Sequence, residues 1–313
     1  MILSEVIASF VDHQQAIGMR FRTEARTLKS FCRFVGDRPI PEVTPDQVLA
    51  FLAGNGPVTR FWERKHSVLT GLYRFAVARG YADRSPLPRT VPEPLKAFVP
   101  YIYSREEISR LLGATALIDH PRCPLDADTY RTLLLLLYGA GLRIGEALVL
   151  TLADVDLNEG VLCVRESKFY KTRLVPVGHD LLRILSRHAT RGRGRVQLEP
   201  GSLLFLTRQG AAVTHQHAER VFCRLRVKAN VVRDGAGRRH QPRLHDLRHS
   251  FAVHRLISLY RDGADVQRLL PKLATYLGHI NISGTQRYLS LTPDLLHEAS
   301  RRFEHYAMEK ADV

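Results

Sequence analysis

The chain has 313 residues, 46 lysines and arginines against 31 acidic residues, a formal net charge of +15 and a pI near 10.0. Its four cysteines are scattered and its longest strongly apolar run, residues 133–138, is too short to cross a bilayer, which excludes a disulfide-stabilised secreted domain and a membrane protein. The length predicts two domains, and the charge favours a polyanionic partner.

Residues 1–84 predict a domain of four short helices, because apolar side chains recur at helical spacing between capping residues. Thr44 followed by Pro45 is typical of a helix start, and Gly54 can end that helix. One apolar stripe is predicted to consist of Leu28, Phe31, Phe34 and Val35.

A proline-rich stretch follows this first domain. Five prolines lie between Pro86 and Pro100, too densely spaced for a helix or a central strand. Residues 85–103 are therefore predicted to form an interdomain linker. Ser104 and Glu107 have the spacing of a capping box, so a second folded unit begins there.

Within the second unit, five consecutive leucines at residues 133–137 predict a helix that is buried on most of its faces. Residues 161–164 and 174–177 are short β-branched runs on either side of a polar stretch at 166–172, a pattern that predicts a β-hairpin with a polar tip. The remainder of the unit is expected to be mostly helical.

The second unit also carries residues suited to holding a phosphodiester. Arg143 follows Gly-Leu, His245 and Arg248 belong to the segment His-Asp-Leu-Arg-His, and His279 follows Leu-Gly, with Tyr288 nine residues later. Two guanidinium groups, two imidazoles and a phenol can supply positive charge, hydrogen-bond donors and a nucleophile to one phosphate.

These segments, in this order, resemble the catalytic domain of the tyrosine recombinases, the phage integrase family, over about residues 104–292. The resemblance implies a mainly α fold with a small antiparallel β-sheet, in which a four-helix, SAM-like core-binding domain at 1–84 precedes a catalytic domain at 104–291. A C-terminal helix at 292–313 would dock on a neighbouring subunit or pack in cis. The long segment between Phe251 and Tyr276 favours a Xer-like, transposon-associated branch.

The resemblance also implies a role for each of the five residues. Arg143 and Arg248 would hold phosphate oxygens, and His245 would assist proton transfer or bond the scissile phosphate. His279 would donate to a non-bridging oxygen, and Tyr288 would attack phosphorus. Because a phenol has an ordinary pKa near 10, the flanking cations must favour its ionised form.

Two further residues complete the predicted site. Glu146, one helical turn after the first arginine, would orient its guanidinium. Lys168 on the hairpin tip would protonate the departing 5′ oxygen. Lys171 is the alternative general acid, and if it does not serve as the acid it would contact a phosphate. Tyr276 and Tyr306 are the alternatives to the predicted nucleophile.

The function that these features imply is site-specific DNA recombination through a 3′-phosphotyrosyl intermediate, serving integration, excision, transposition or resolution. Neither cofactor nor metal is expected, because the sequence has no nucleotide-binding glycine loop and no Cys/His pairs at zinc spacing. The expected partners are double-stranded DNA, a homotetramer on DNA and accessory recombinases or directionality factors, in a cytoplasmic, nucleoid-associated location. A type IB topoisomerase and a non-catalytic DNA-binding regulator are the alternatives.

Overall fold

Two compact units divide the chain in this computed structural model, Met1–Phe98 and Val99–Val313. The predicted linker at 85–103 lies partly outside the described residues, and its boundaries stay a prediction. The residues that the structure describes are 1–54, 58–88, 92, 99–165, 172–191, 199–235, 237, 240–279, 281–290 and 295–301.

The first unit contains the four predicted α-helices. Thr44 caps α3 by accepting from the backbone N–H of Gln47 at 3.3 Å, while the Gln47 side chain accepts from the Thr44 N–H at 3.1 Å. Gly54 ends α3 with a φ of +59°, as the sequence predicts. The helices are α1 (Leu3–Ala16), α2 (Arg22–Val35), α3 (Pro45–Ala53) and α4 (Arg60–Ala78).

One detail of the predicted apolar stripe is wrong. Leu28, Phe31 and Val35 are buried in the core of the first unit, but the Phe34 side chain is 56% exposed. Consecutive residues on a helix point about 100° apart, so Phe34 and Val35 face different directions even though both are apolar. Phe34 instead packs its ring against that of Phe51, with the centroids 5.6 Å apart.

The second unit is mainly helical with one small sheet. Ser104 caps its first helix together with Glu107, as predicted. The helices of this unit are α5 (Arg105–Gly113), α6 (Ala127–Gly139), α7 (Ile144–Ala147), α8 (His179–Arg191), α9 (His215–Lys228), α10 (Asp246–Arg261), α11 (Val266–Leu277) and α12 (Ser283–Gln286). Short 3-10 helices lie at Ala114–Ile118, Leu152–Asp154 and Arg287–Ser290.

The leucine-rich segment forms α6, the central helix of this unit's core. Asp126 caps it by accepting from the backbone N–H of Thr129 at 2.9 Å. Four of the five consecutive leucines are buried, which confirms the prediction. Among the described residues, no helix is long and apolar enough to span a bilayer.

The sheet has three antiparallel strands in the order β1-β2-β3, namely β1 (Val155–Asp156), β2 (Val161–Val164) and β3 (Arg173–Pro176). Strands β2 and β3 form the predicted hairpin, with Leu162 opposite Val175. The two-residue β1 was not predicted. Most of the polar tip, including Lys168 and Lys171, lies outside the described residues.

Helix α10 is anchored at its N-terminal end by buried polar contacts. The Ser250 hydroxyl donates to the carbonyl of Asp246 at 2.9 Å and accepts from the backbone N–H of Tyr103 at 2.8 Å. The Tyr103 hydroxyl donates to the carbonyl of Arg243 at 2.9 Å, and the buried Asp246 carboxylate accepts from the Arg243 N–H at 2.9 Å. These bonds fix the segment that carries the two histidines and the arginine of the second motif.

The segment after α10 and the end of the chain complete the unit. A short turn containing Gly263, with a φ of +68°, joins α10 to α11, and Pro271 lies inside α11. Residues 295–301 are helical, and Leu295 is buried in the cluster formed by α10, α11 and Tyr288. Most of the predicted C-terminal helix at 292–313 lies outside the described residues, so its docking stays a prediction.

Candidate active site

The guanidinium of Arg248 lies at the centre of the candidate site and is 2% exposed. Its Nη1 donates to the carbonyl of Gly141 at 2.6 Å, and its Nη2 donates to the carbonyl of Leu277. Burial, followed by the charge of Arg143, lowers the pKa of Arg248 to about 10. Arg248 therefore stays charged at neutral pH and is locked between the end of α6 and the end of α11.

Arg143 is the N-cap residue of α7, a helix of four residues. Its Nη1 donates to Glu146 Oε1 at 2.7 Å, and its Nη2 donates to the carbonyl of Gly278 at 3.0 Å. Its side chain remains 31% exposed. The carboxylate thus orients the guanidinium as expected, whereas so short a helix contributes little dipole.

Arg173 is a component of the site to which sequence reasoning gave no role. It lies on β3 and donates to both oxygens of Glu146, from Nη1 at 3.1 Å and from Nη2 at 2.7 Å. Burial alone would raise the pKa of Glu146, but Arg173 and then Arg143 lower it to about 2. A signal was present in the sequence, since Arg173 directly precedes the Leu-Val-Pro of the predicted hairpin.

His279 is held at the C-terminal end of α11. Gly278 adopts a left-handed conformation with a φ of +66°, and the His279 N–H donates to the carbonyl of Ala274 at 2.9 Å. The Nδ1 of His279 lies 2.7 Å from the hydroxyl of Thr285, a fully buried residue that sequence reasoning missed. Burial and then the charge of Arg248 lower the pKa of His279 to about 4.

Tyr288 is 3% exposed, and its phenol lies among the imidazoles of the site. Its hydroxyl is 3.0 Å from Nδ1 of His249, and its ring lies nearly parallel to that of His279 with the centroids 6.1 Å apart. Burial raises the pKa of the phenol, while the charges of Arg248 and Arg143 act in the opposite direction. The effect of burial is the larger one, so the pKa of the phenol is raised and the hydroxyl is protonated at neutral pH.

His245 lies at the N-cap of α10 on the same side of the helix as Arg248. Burial and the charge of Arg248 lower its pKa. Its ring stands perpendicular to that of His249, with the centroids 4.9 Å apart. The structure thus brings five of the six predicted site residues together, namely Arg143, His245, Arg248, His279 and Tyr288, while Lys168 lies outside the described residues.

The arrangement is suited to receive an anion. Guanidinium groups of Arg143, Arg173 and Arg248 converge on one region, where Glu146 is the carboxylate that contacts two of them. Burial, followed by the charges of the arginines, lowers the pKa of His279, so an arriving phosphodiester would relieve repulsion as well as form hydrogen bonds. In the part of the chain that the structure describes, no group of three or more His, Cys, Asp or Glu residues is placed to hold a metal ion.

Comparison with known proteins assigns the chain to a family. A sequence model of the phage integrase family matches residues 104–294. The integrase/recombinase y4rB of Sinorhizobium fredii is 34% identical over 304 residues, which cover 96% of both chains. Tyrosine recombinase XerC of Oceanobacillus iheyensis is 29% identical over 286 residues, which cover 89% of this chain and 87% of the relative.

Solved structures show the same fold. The Tn1549 transposon integrase in complex with transposon right end DNA superposes with a TM-score of 0.72 at 18% identity, covering 98% of this chain and 100% of the other. The lambda integrase tetramer bound to a Holliday junction superposes with a TM-score of 0.65 at 17% identity, covering 92% of this chain and 77% of the other. These relatives favour neither a topoisomerase nor a non-catalytic regulator. The chain belongs to the phage integrase family and is a tyrosine recombinase.

Proposed function

We propose that this recombinase cuts DNA by attack of the Tyr288 hydroxyl on a backbone phosphorus, which yields a 3′-phosphotyrosyl enzyme and a free 5′ hydroxyl. The observation that carries the proposal is the position of the phenol, which is buried beside His249 and His279 and lies in the field of Arg248 and Arg143. A 5′ hydroxyl from another strand then reverses the step and joins a new partner.

The fixed geometry of the two arginines supports the proposed phosphate-binding roles. Arg248 is held by two backbone carbonyls, and Arg143 is held by Glu146 and the carbonyl of Gly278. Arg143 remains partly exposed, so it can still turn donors towards a bound phosphate. We assign Arg143 and Arg248 to the two non-bridging oxygens because such preorganised charges stabilise the pentavalent transition state.

The histidines and the lysine complete the proposed machinery. His279 would donate from Nε2 to a non-bridging oxygen, since its Nδ1 is engaged by Thr285. His245, beside Arg248, would hydrogen-bond the scissile phosphate or assist proton transfer. Lys168, on the hairpin tip between β2 and β3, would protonate the departing 5′ oxygen, with Lys171 as the alternative.

We also propose double-stranded DNA as the substrate and a homotetramer as the active assembly. The net charge of +15 supports a polyanionic partner, and similar structures include an integrase on transposon DNA and a tetramer on a Holliday junction. Strand exchange between two duplexes requires four cuts and therefore four protomers. Accessory recombinases or directionality factors and a cytoplasmic, nucleoid-associated location belong to the same proposal.

Covalent capture tests the proposed chemistry. Nicked duplexes with randomised sequence are incubated with the full chain, and the protein-linked DNA is recovered under denaturing conditions and sequenced, which also identifies the preferred site. We expect capture by the wild type and none by Tyr288→Phe, which lacks the attacking oxygen. Capture at full yield by Tyr288→Phe would refute the assignment of the nucleophile, and rapid relaxation of plasmids lacking the recovered site would favour topoisomerase activity.

A further inference from the structure

His249 contacts the reacting oxygen of the proposed mechanism, yet the sequence analysis gave it no role. It follows Arg248 directly on α10, and its Nδ1 lies 3.0 Å from the Tyr288 hydroxyl. The two rings are 5.6 Å apart between centroids, tilted by 56°. Resemblance assigned proton transfer to His245, but the imidazole hydrogen-bonded to the phenol in this structure is that of His249.

Both groups in this hydrogen bond are uncharged at neutral pH. Burial, and then the charges of His245, Arg248, Arg243 and Arg287, lower the pKa of His249 to about 3, so its imidazole is neutral. The phenol of Tyr288 is also neutral, because burial raises its pKa. In the tautomer with its proton on Nε2, the neutral imidazole accepts at Nδ1 and the phenol donates its O–H to His249.

This orientation prepares the phenol for attack. An O–H that points at His249 leaves the oxygen lone pairs facing the other groups around it, and the charges of Arg248 and Arg143 both act on that oxygen. In this tautomer the proton already lies on the acceptor side, while the phenolic oxygen lies in the field of Arg248 and Arg143, the proposed phosphate ligands. A general base must be within hydrogen-bonding reach of the proton that it removes, and His249 satisfies this requirement without rearrangement.

We propose that His249 accepts the phenolic proton of Tyr288 during strand cleavage and returns it during rejoining. The inference rests on the proposed function. In the forward step a bond forms between the phenolic oxygen and phosphorus, the bond from phosphorus to the 5′ oxygen breaks, and the phenolic proton moves to Nδ1. The 5′ oxygen takes its proton from the general acid, for which Lys168 is predicted. Rejoining reverses each transfer, so protons and electrons balance.

Bound DNA would strengthen this base. Besides burial and the charge of His245, the charge of Arg248, which the proposed phosphate would offset, disfavours the charged imidazole of His249. An anion between Arg143 and Arg248 offsets their charge, and the imidazolium of His249 becomes easier to form. Without DNA the pair stays neutral, so the nucleophile becomes activated only when a phosphate is in place.

Two substitutions separate proton transfer from positioning. In His249→Asn, the amide oxygen can take the place of Nδ1 and accept the hydrogen bond, but it cannot accept a proton at neutral pH. His249→Ala removes both capacities. The matched control is His254→Asn on the same helix, because Nδ1 of His254 lies 2.8 Å from the hydroxyl of Tyr138 in a similar pair.

The assay measures single-turnover formation of the covalent complex on the nicked duplex recovered by capture. We expect both His249 variants to be slower by about 10²- to 10⁴-fold, the usual contribution of a general base, and His254→Asn to match the wild type. The residual rate of the His249 variants should increase with pH through the alkaline range, because solvent must then remove the proton. Wild-type rates in His249→Asn would overturn the proposal and leave His249 a positioning residue.

A modified substrate distinguishes the base from the acid. A duplex with sulfur in place of the bridging 5′ oxygen has a leaving group that needs no protonation. It should restore cleavage by Lys168→Ala but not by His249→Ala. Restoration of His249→Ala would mean that the imidazole serves the leaving group, which contradicts the proposal.

Failure of this inference is distinguishable from failure of the proposed function. If Tyr288→Phe forms no complex while both His249 variants cleave at the wild-type rate, the function stands and the role of His249 is refuted. If Tyr288→Phe forms the complex, the nucleophile itself is misassigned. Circular dichroism and a gel-shift measurement on the same duplex verify that each variant folds and binds.

Discussion

The guanidinium of Arg173 donates to both carboxylate oxygens of Glu146, with N–O distances of 3.1 and 2.7 Å. Its Nε also donates to the carbonyl of Tyr276 at 3.0 Å. One side chain on β3 therefore joins α7 to α11. Because Glu146 also holds Arg143, the position of this partly exposed arginine, the proposed phosphate ligand, depends on a residue from the hairpin.

Arg173→Lys should lower both stability and cleavage. A lysine keeps the charge but loses the planar pair of donors, so one of the two hydrogen bonds to the Glu146 carboxylate and the bond to the Tyr276 carbonyl are lost, at a cost of about 1–3 kcal/mol. Urea unfolding measures the first effect, and the rate of covalent complex formation measures the second. Arg183→Lys on α8, where Arg183 pairs with Asp180 at the surface, is the control. Wild-type behaviour of Arg173→Lys would show that charge alone suffices.

The acid stability of the second unit should depend on Glu146. Its pKa is about 2 in the folded chain against an ordinary value of 4.5, so the ionised form favours folding. The resulting stabilisation is fully present above about pH 4.5 and is lost as the pH falls through about 2, and it amounts to roughly 3 kcal/mol.

Glu146→Gln tests this dependence. The variant should be less stable than the wild type at neutral pH, and the difference should shrink as the pH falls, because protonation removes the same charge from the wild type. Urea unfolding across this range, with Asp180→Asn as a surface control, measures the difference. A constant difference at every pH would contradict the assignment.

The sequence was sufficient for the parts of this structure that local physical chemistry determines. The hydroxyl oxygens of Thr44 and Ser104 accept hydrogen bonds from backbone N–H groups in the first turns of α3 and α5, and both helices begin where the sequence predicts. The order of the motifs also identified the arginines and the tyrosine that now lie in one site. These signals are short in range, so a single chain suffices to detect them.

Two of the missed residues act through partners distant in sequence. Arg173 contacts Glu146 across 27 positions, and His249 contacts Tyr288 across 39. The identity of such a residue says little until the fold shows what it faces. Thr285 gave no signal at all, because a buried threonine in a polar turn is indistinguishable from a surface one by composition. Long-range geometry, rather than residue type, separates Arg173 and His249 from their neighbours.

Alanine at two glycines should damage the site through crowding. A Cβ on Gly141 would lie 2.4 Å from Phe251 Cδ1, and one on Gly278 would lie 2.9 Å from Arg173 Nη1. Both glycines also have positive φ angles, so each substitution should cost about 1–3 kcal/mol, with Gly141→Ala the worse. Gly145→Ala is the control because nothing lies within 4 Å of its Cβ. If thermal unfolding showed that Gly145→Ala loses as much stability as the other two variants, this account would be contradicted.

An inorganic anion should raise the pKa of His279. Without an anion, burial and the charges of the arginines lower that pKa to about 4. A vanadate ion bound beside Arg143 and Arg248 favours the charged imidazole, so its titration should move towards neutral pH. NMR titration of the histidine ring protons measures the shift, and His188, a buried histidine that bonds the carbonyl of Leu204, is the control. Equal shifts at both histidines would indicate a non-specific effect.

The hydrogen bond between Thr285 and His279 is linked to which nitrogen of the imidazole carries the proton. If the Thr285 hydroxyl donates to Nδ1 across their 2.7 Å contact, the neutral ring carries its proton on Nε2 and can donate to a phosphate oxygen. If instead Nδ1 donates, Nε2 presents a lone pair that would repel that oxygen. The proposed role of His279 therefore requires the threonine to be the donor.

Thr285→Val tests this requirement at nearly constant volume. Valine cannot donate, so the ring can carry its proton on either nitrogen, and we expect covalent complex formation to slow by about 10- to 100-fold, as for lost support of a metal-bound histidine. Thr275→Val on α11 is the matched control, because the exposed Thr275 hydroxyl donates to the carbonyl of Pro271 away from the site. The rate loss should be smaller below the pKa of His279, where both nitrogens are protonated in either protein. A Thr285→Val rate equal to that of the control at neutral pH would mean that the tautomer of His279 is fixed by some other contact.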